Sequence, residues 1–319
     1  MKNKQTIKTI FMGTADFAIP SLKSILNDSR FDVVAVFTQP DKPIGRSSKL
    51  QETPIKKLAI KNGIPVYQPE NISDFSSYSS NNKFPILDVD VIIVVSYAQI
   101  IPKTILDIPK YACINVHGSL LPKYRGSSCI QASILNGDNE SGATIMLMDE
   151  KMDTGDVLRQ AKTDLSPKET TASLFNKISQ IGADILPSTV FDFVSGNIKP
   201  EPQDNSKKSI VKKTIKENGR IDWSMSANHI EKQIRAMTTW PGAWTKLDAK
   251  ILKILEADIA SEEFPKKNIA ELFTENKNLY VKCGKGTLLL KLIQIEGKKA
   301  IKGVDFINGN KNLLGTSLK

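Results

Sequence analysis

The chain has 319 residues, 40% hydrophobic and 24% charged, with 18 Gly and 16 Pro; that length favours two domains and that composition excludes an unfolded or low-complexity chain. Three cysteines (Cys113, Cys129, Cys283), an odd number with no CxxC pair, exclude a disulfide framework or a zinc knuckle and fit a reducing compartment. The formal net charge is +10, and residues 201–319 hold most of it, with 22 Lys and Arg against 14 Asp and Glu where residues 1–200 have 22 against 20.

At the start, TIKTIFMGT reads as a buried strand, and its apolar run is broken by Gly13 and Asp16 too early for a secretory signal. Residues 16–26 place Phe17, Leu22, Ile25 and Leu26 at helical spacing, and DVVAVFT at 32–38 reads as a second strand. Short β-branched runs recur at 64–67, 89–95, 113–116 and 143–148, with helix-like stretches at 54–61 and 128–135 between them. Such alternation predicts an α/β domain with a parallel sheet, in which ligands bind beyond the carboxyl ends of the strands. Gly13, Thr38, Ser96 and Asn115 stand at those ends. After a helix over 171–194, the polar SGNIKPEPQDNSKKS reads as a linker. An amphipathic helix near 226–237 and strand-like runs at 251–255, 279–282 and 287–295 then predict a small β-rich domain. The division expected is 1–195, a linker at 196–208, and 209–319. No apolar run is long enough to span a membrane.

The first turn is GTADFA, so the GxGxxG that admits a dinucleotide pyrophosphate is missing, and GxxxxGK[ST] is absent too. Nicotinamide and nucleoside triphosphate chemistry are disfavoured. His117, one of only two histidines, lies two residues after Asn115 in ACINVHGSLLPKYRG. On a strand these side chains share a face, so a carboxamide and an imidazole converge as an oxyanion site requires. The plain alternative is a histidine that only bonds a loop. Asp153, in the turn MDTGDV, is placed to aim a carboxylate at a neighbouring strand end and orient His117, or simply to cap its turn. Trp223, Trp240 and Trp244 are expected as packing anchors, Cys113 and Cys129 as inert buried thiols, and His229 has no function to assign.

Taken together, FMGTADFAIPSL, VFTQPDKPIGR, VSYAQIIP, CINVHGSLLPKYRG through MDTGDV, and RIDWSMSANHIEKQIRAMTTWPGAW resemble the methionyl-tRNA formyltransferases along nearly the whole chain. The resemblance implies an α/β fold, with a Rossmann-like parallel-sheet formyltransferase domain followed by a smaller OB-like β-barrel domain that binds tRNA. It places Asn115, His117 and Asp153 on the family's catalytic residues and Ser119, Leu120, Leu121 and Pro122 on its folate-contacting segment. The implied reaction moves a formyl group from 10-formyltetrahydrofolate to the α-amino group of methionyl initiator tRNA, with no metal. The loop at 39–54 carries five charges, net +1, and the resemblance aims it at the tRNA acceptor arm, with Arg46 as the leading contact and Lys42 and Lys49 beside it. Ser47 and Ser48 stand where family members often carry lysines, which shifts weight to the basic C-terminal domain. A cytoplasmic monomer away from membranes is expected. The nearest rival is formylation of an amino sugar nucleotide, which uses the same NxH. A glycinamide ribonucleotide formyltransferase generally lacks the second domain, and a non-catalytic RNA-binding protein has no need of Asn115, His117 and Asp153 together.

Overall fold

The apolar run Ile7–Gly13 forms β1 at the middle of a seven-stranded sheet. In this computed structural model, residues 6–43, 50–74 and 88–319 are described. The first half gives α1 (Ile19–Leu26), β2 (Phe31–Phe37), the two-residue strands β3 (Lys42–Pro43) and β4 (Leu50–Gln51), α2 (Pro54–Lys61) and β5 (Val66–Tyr67). It continues with β6 (Val91–Val95), α3 (Lys103–Leu106), β7 (Ala112–His117), α4 (Cys129–Asn136), β8 (Glu140–Leu147), β9 (Val157–Asp164) and α5 (Thr171–Val194). The sheet order is β5-β2-β1-β6-β7-β8-β9. The five strands from β5 to β7 are parallel, as the sequence predicts.

β8 and β9 run antiparallel, which differs from the expectation of a purely parallel sheet. A crossover helix packed on the sheet is what returns a strand parallel. The helix between β7 and β8 is α4, and it belongs to the second of the two units into which the chain divides. The first unit is Met1–Gly126, Glu140–Asp164 and Phe175–Ile210; the second is Ser127–Asn139, Leu165–Leu174 and Val211–Lys319. β9 (VLRQAKTD), which carries no apolar alternation, is an edge strand whose one buried residue is Leu158.

The stretch expected to be a free linker is a strap within the first unit. Val157 and Glu201 exchange backbone hydrogen bonds of 2.8 and 2.9 Å at the β9 edge. Farther along, Ser209 accepts from the Arg125 amide through its carbonyl, at 2.9 Å, and from the Tyr124 amide through its hydroxyl, at 2.8 Å. Its polar, proline-bearing composition satisfies a neighbour's backbone groups instead of burying apolar surface.

In the second unit, α6 (Ala227–Ala236) packs against α4 and against the sheet of β10 (Ala243–Leu247), β11 (Lys250–Ile259), β12 (Leu272–Glu275), β13 (Asn278–Lys282), β14 (Thr287–Ile295) and β15 (Ile301–Lys302), with α7 (Gly303–Gly309) after them. The antiparallel order is β10-β11-β14-β13-β12, with β15 on β14. The last residues join its two edges. Leu272 and Gly315–Thr316 are bonded through backbone at 2.7 and 2.9 Å, and Leu318 donates to the Ala270 carbonyl at 2.9 Å. On the other side Lys246 and Lys319 bond at 2.7 and 3.0 Å. The sheet thereby closes as a barrel around Ile230, Leu252, Val281, Leu288 and Phe306, all buried. Closure removes the open edges that an antiparallel sheet otherwise exposes. Trp223 and Trp244 anchor this core as expected, the Trp223 indole donating to Thr245 Oγ1 at 3.0 Å. Trp240 does not: it is 54% exposed, on the turn before Pro241.

Candidate active site

β7 is flanked by parallel β6 and antiparallel β8, so its carboxyl end lies where the direction of the sheet changes. Asn115 pairs with Val94 and Met146, and His117 pairs with Thr144, which puts the two side chains on one face two residues apart. The Asn115 carboxamide donates to the Val94 carbonyl at 2.9 Å. That bond fixes the amide while using only one of its two N–H groups.

His117 is buried. Its Nε2 lies 3.0 Å from the Tyr124 carbonyl, and since a carbonyl only accepts, Nε2 carries a proton. Nδ1 lies 3.6 Å from Asp153 Oδ1. A carboxylate at that distance attracts the protonated ring and repels the lone pair of the neutral one. The other Asp153 oxygen accepts from the Gly126 amide at 2.7 Å. Asp153 sits at φ 55° and Tyr124 at φ 60°, both in the left-handed region that non-glycine residues rarely occupy. Both partners of the His117 ring are thus presented by strained backbone, which persists only where surrounding structure over-determines it.

That surrounding structure is visible. Thr154 Oγ1 donates to Asp149 at 2.7 Å, and a Cβ added at Gly155 would collide with the Leu147 carbonyl. Arg125 is buried, and its guanidinium donates to Gln203 Oε1 from Nε at 3.0 Å and Nη2 at 2.8 Å, and to Asn205 Oδ1 at 2.9 Å. The Gln203 amide in turn donates to the carbonyls of Asp153 at 3.0 Å and Gly155 at 2.7 Å. Neither Arg125 nor Gln203 stands out in the sequence, where PKYRG and PEPQDN read as loop and linker.

Ser119, Leu120, Leu121 and Pro122 follow β7 directly. Ser119 and Leu121 are buried, and the Ser119 hydroxyl is spent on the Lys123 carbonyl at 2.6 Å, which leaves half-buried Leu120 and Pro122 as the accessible side chains of this segment. Thr144, fully buried on β8, holds the turn: it donates to the Ser119 carbonyl at 2.6 Å and accepts from the Leu121 amide at 3.1 Å and the Gln160 amide at 2.9 Å. A Cβ at Gly142 would meet the Ala161 carbonyl of β9 at 2.1 Å and the Leu120 side chain at 2.7 Å, so the glycine is required first by the close approach of β9.

Lys42 is exposed on β3, which pairs with β4 as a short antiparallel ladder. At the base of this ladder Lys56 is paired with Asp41, and Gln68 donates to Asp41 Oδ1 at 2.7 Å. The hydrogen-bonded Lys56 ammonium holds the Asp41 carboxyl below its ordinary pKa. Arg46 and Lys49 fall outside the described residues, as do Ser47 and Ser48.

An NxH pair at a strand end, with a carboxylate behind the imidazole, can donate hydrogen bonds to a developing oxyanion and move a proton. The formyl transferase family profile matches residues 7–190, and that of the formyl transferase C-terminal domain matches residues 213–311. The chain belongs to the formyl transferase family. Among individual relatives it is 42% identical over 313 residues to the methionyl-tRNA formyltransferase of Clostridium novyi (strain NT), covering 98% of this chain and 100% of that one. It is 39% identical over 310 residues to the methionyl-tRNA formyltransferase of Pseudoalteromonas translucida, covering 97% and 95%. Among solved structures the fold is shared with an N-formyltransferase from Helicobacter canadensis, in complex with folinic acid and dTDP-3-aminofucose (TM-score 0.66, 21% identity, 89% of this chain and 99% of that one). It is shared also with HypX from Aquifex aeolicus in complex with tetrahydrofolic acid (TM-score 0.63, 16% identity, 95% and 47%).

Proposed function

We propose that the chain transfers the formyl group of 10-formyltetrahydrofolate to the α-amino group of methionine esterified to initiator tRNA. The observation that carries this reading is the convergence of Asn115, His117 and Asp153 at the end of β7, in a chain 42% identical over almost its full length to a methionyl-tRNA formyltransferase. The attacking amine must be neutral, and an α-amino group with a pKa near 8 supplies a usable neutral fraction at physiological pH. Its attack on the formyl carbon forms a C–N bond and puts negative charge on the former carbonyl oxygen. The free N–H of Asn115 donates to that oxygen; His117 joins it when its Nε2–H is shared with, or released from, the Tyr124 carbonyl. Asp153 holds the imidazole and takes the ammonium proton, directly or through water. Collapse breaks the bond to the folate nitrogen, which takes up a proton as tetrahydrofolate leaves.

Leu120 and Pro122, with the backbone held by Thr144, supply the surface for the folate. Lys42, Arg46 and Lys49 meet the acceptor arm, and the +8 of residues 201–319 adds counterion release from the RNA backbone. The acting form is a cytoplasmic monomer that meets tRNA both through the loop of its catalytic domain and through its basic C-terminal part. Among the described residues no helix is long and apolar enough to cross a membrane.

The test is formyl transfer from 10-formyltetrahydrofolate to initiator methionyl-tRNA, beside elongator methionyl-tRNA and an amino sugar nucleotide, at two salt concentrations. Salt-sensitive transfer to the initiator alone is expected. Transfer only to the sugar nucleotide would retain the chemistry and overturn the acceptor.

A further inference from the structure

We infer that Gln203 is a positioning residue for the acyl transfer, and that the 201–209 strap is part of the active site and not a tether; this rests on the function proposed above. The turn that carries Asp153 and the loop that carries Tyr124 each contribute one of the groups facing the His117 ring. Both are held in left-handed backbone, and the strap bonds to both. It meets the second through Ser209, at the amides of Tyr124 and Arg125. It meets the first through Gln203 and, where the turn enters β9, through Glu201 at Val157.

Among the described residues of the strap, Gln203 bonds to both loops, beside the direct bond from the Gly126 amide to the Asp153 carboxylate. Its carboxamide oxygen accepts two N–H groups of buried Arg125, on the Tyr124 side, and its amide nitrogen donates to the carbonyls on either side of Thr154. All four hydrogen bonds a carboxamide commonly makes are therefore spent, and all of them on the backbone or side chain of the two loops. The polarity is matched as well. Only a group that is an acceptor at one end and a double donor at the other satisfies a guanidinium and two carbonyls at once. A carboxylate in its place keeps the guanidinium and sets negative charge against both carbonyls. An apolar side chain of the same length leaves every partner without its bond. The geometry therefore makes Gln203, which holds the backbone of the turn while the Gly126 amide holds the carboxylate, a part that sets Asp153 against His117, although Gln203 does not touch the ring.

The test uses two variants of the full chain. Gln203→Met removes all four bonds; Gln203→Glu keeps the strap tied to Arg125 and replaces the donation to the Asp153 turn by repulsion, so it stays informative if Gln203→Met folds poorly. Both are expected to lose roughly ten- to a hundredfold in kcat, with KM for folate and for the amine acceptor within about twofold of the unaltered chain, as misalignment by a fraction of an ångström predicts. The same Gln203→Glu change in an Asp153→Ala background is expected to cost less than about twofold, because its effect passes through Asp153. Unchanged kcat, a loss confined to KM, or additive losses in the double variant would each overturn the assignment. Measurements are made on whichever amine the unaltered chain formylates. Failure with methionyl-tRNA therefore counts against the proposed acceptor, and the variant series decides Gln203 separately.

Discussion

Asn115 and His117 are readable as a pair because strand geometry makes i and i+2 neighbours on one face, and the sequence shows both the strand and the spacing. Asp153 is less readable. Its approach to the ring depends on a positive φ, on the Gly126 amide and on Gln203, none of which a local pattern announces. In the segment that the resemblance places on the folate, the Ser119 hydroxyl donates to the Lys123 carbonyl and Leu121 is buried, so the accessible side chains are Leu120 and Pro122. At this scale His117→Ala should lower kcat by about a hundredfold or more with little change in tRNA affinity, measured by single-turnover transfer beside equilibrium binding. Equal losses in both would remove it from the oxyanion. The cysteines give a second expectation. Burial pushes the Cys113 and Cys283 thiols from 9.0 up to about 12. Thiols raised in the folded state contribute stability that is complete below the unfolded value of 9.0 and fades as pH rises from there toward 12. Thiol-reactive dye should therefore label the native chain slowly at pH 8 and rapidly after denaturation, and unfolding midpoints should fall above pH 9. Fast native labelling would contradict the burial.

Among elements, long apolar strands and amphipathic helices were legible: the helix over 171–194 and the strand over 287–295 lie where their periodicities put them. What escaped were elements whose partners, not their own residues, make them regular. β9 is polar because it is an edge, and the antiparallel entry of β8 follows from where α4 packs, a non-local fact. The turn between β8 and β9 has no room for a side chain at Gly155, so Gly155→Ala must displace either the Leu147 carbonyl or the Asp153 turn. A kcat loss on the order of a hundredfold is expected, with folate affinity kept, checked by steady-state kinetics and ligand binding. An active variant would show that the turn tolerates movement. For the loop that β3 and β4 join at its base, Arg46→Ala should weaken use of tRNA and lower the slope of log K against log salt by about one, leaving folate binding unchanged. If folate binding falls instead, the loop serves the other substrate.

For the whole molecule, the sequence conveys an α/β part followed by a β part, with the charge gathered in the second, and the structure has both. It does not convey that the second unit takes in Ser127–Asn139 and Leu165–Leu174. Those segments look like ordinary members of the α/β alternation, and only packing reveals otherwise: the Ser128 hydroxyl accepts from the Thr214 amide at 2.8 Å, and Thr171 Oγ1 donates to the Ala236 carbonyl at 2.6 Å. Barrel closure by residues 315–319 is equally silent in sequence, since a five-residue tail has no periodicity to read. Leu318, buried in the barrel core, should cost about 2–5 kcal/mol on replacement by Ala, measured by denaturant unfolding. A cost under about 0.5 kcal/mol, typical of exposed positions, would mean that the seam is not closed in solution.

The interleaving of the two units has a consequence for chimaeras. Residues 209–319 transplanted onto another formyl transferase arrive without α4, so the face of α6 that α4 covers must be filled by the host's own helix. Exchanging the whole second unit between such chains therefore takes five crossover points instead of one, and a swap made at the strap alone inherits a seam that has never been matched.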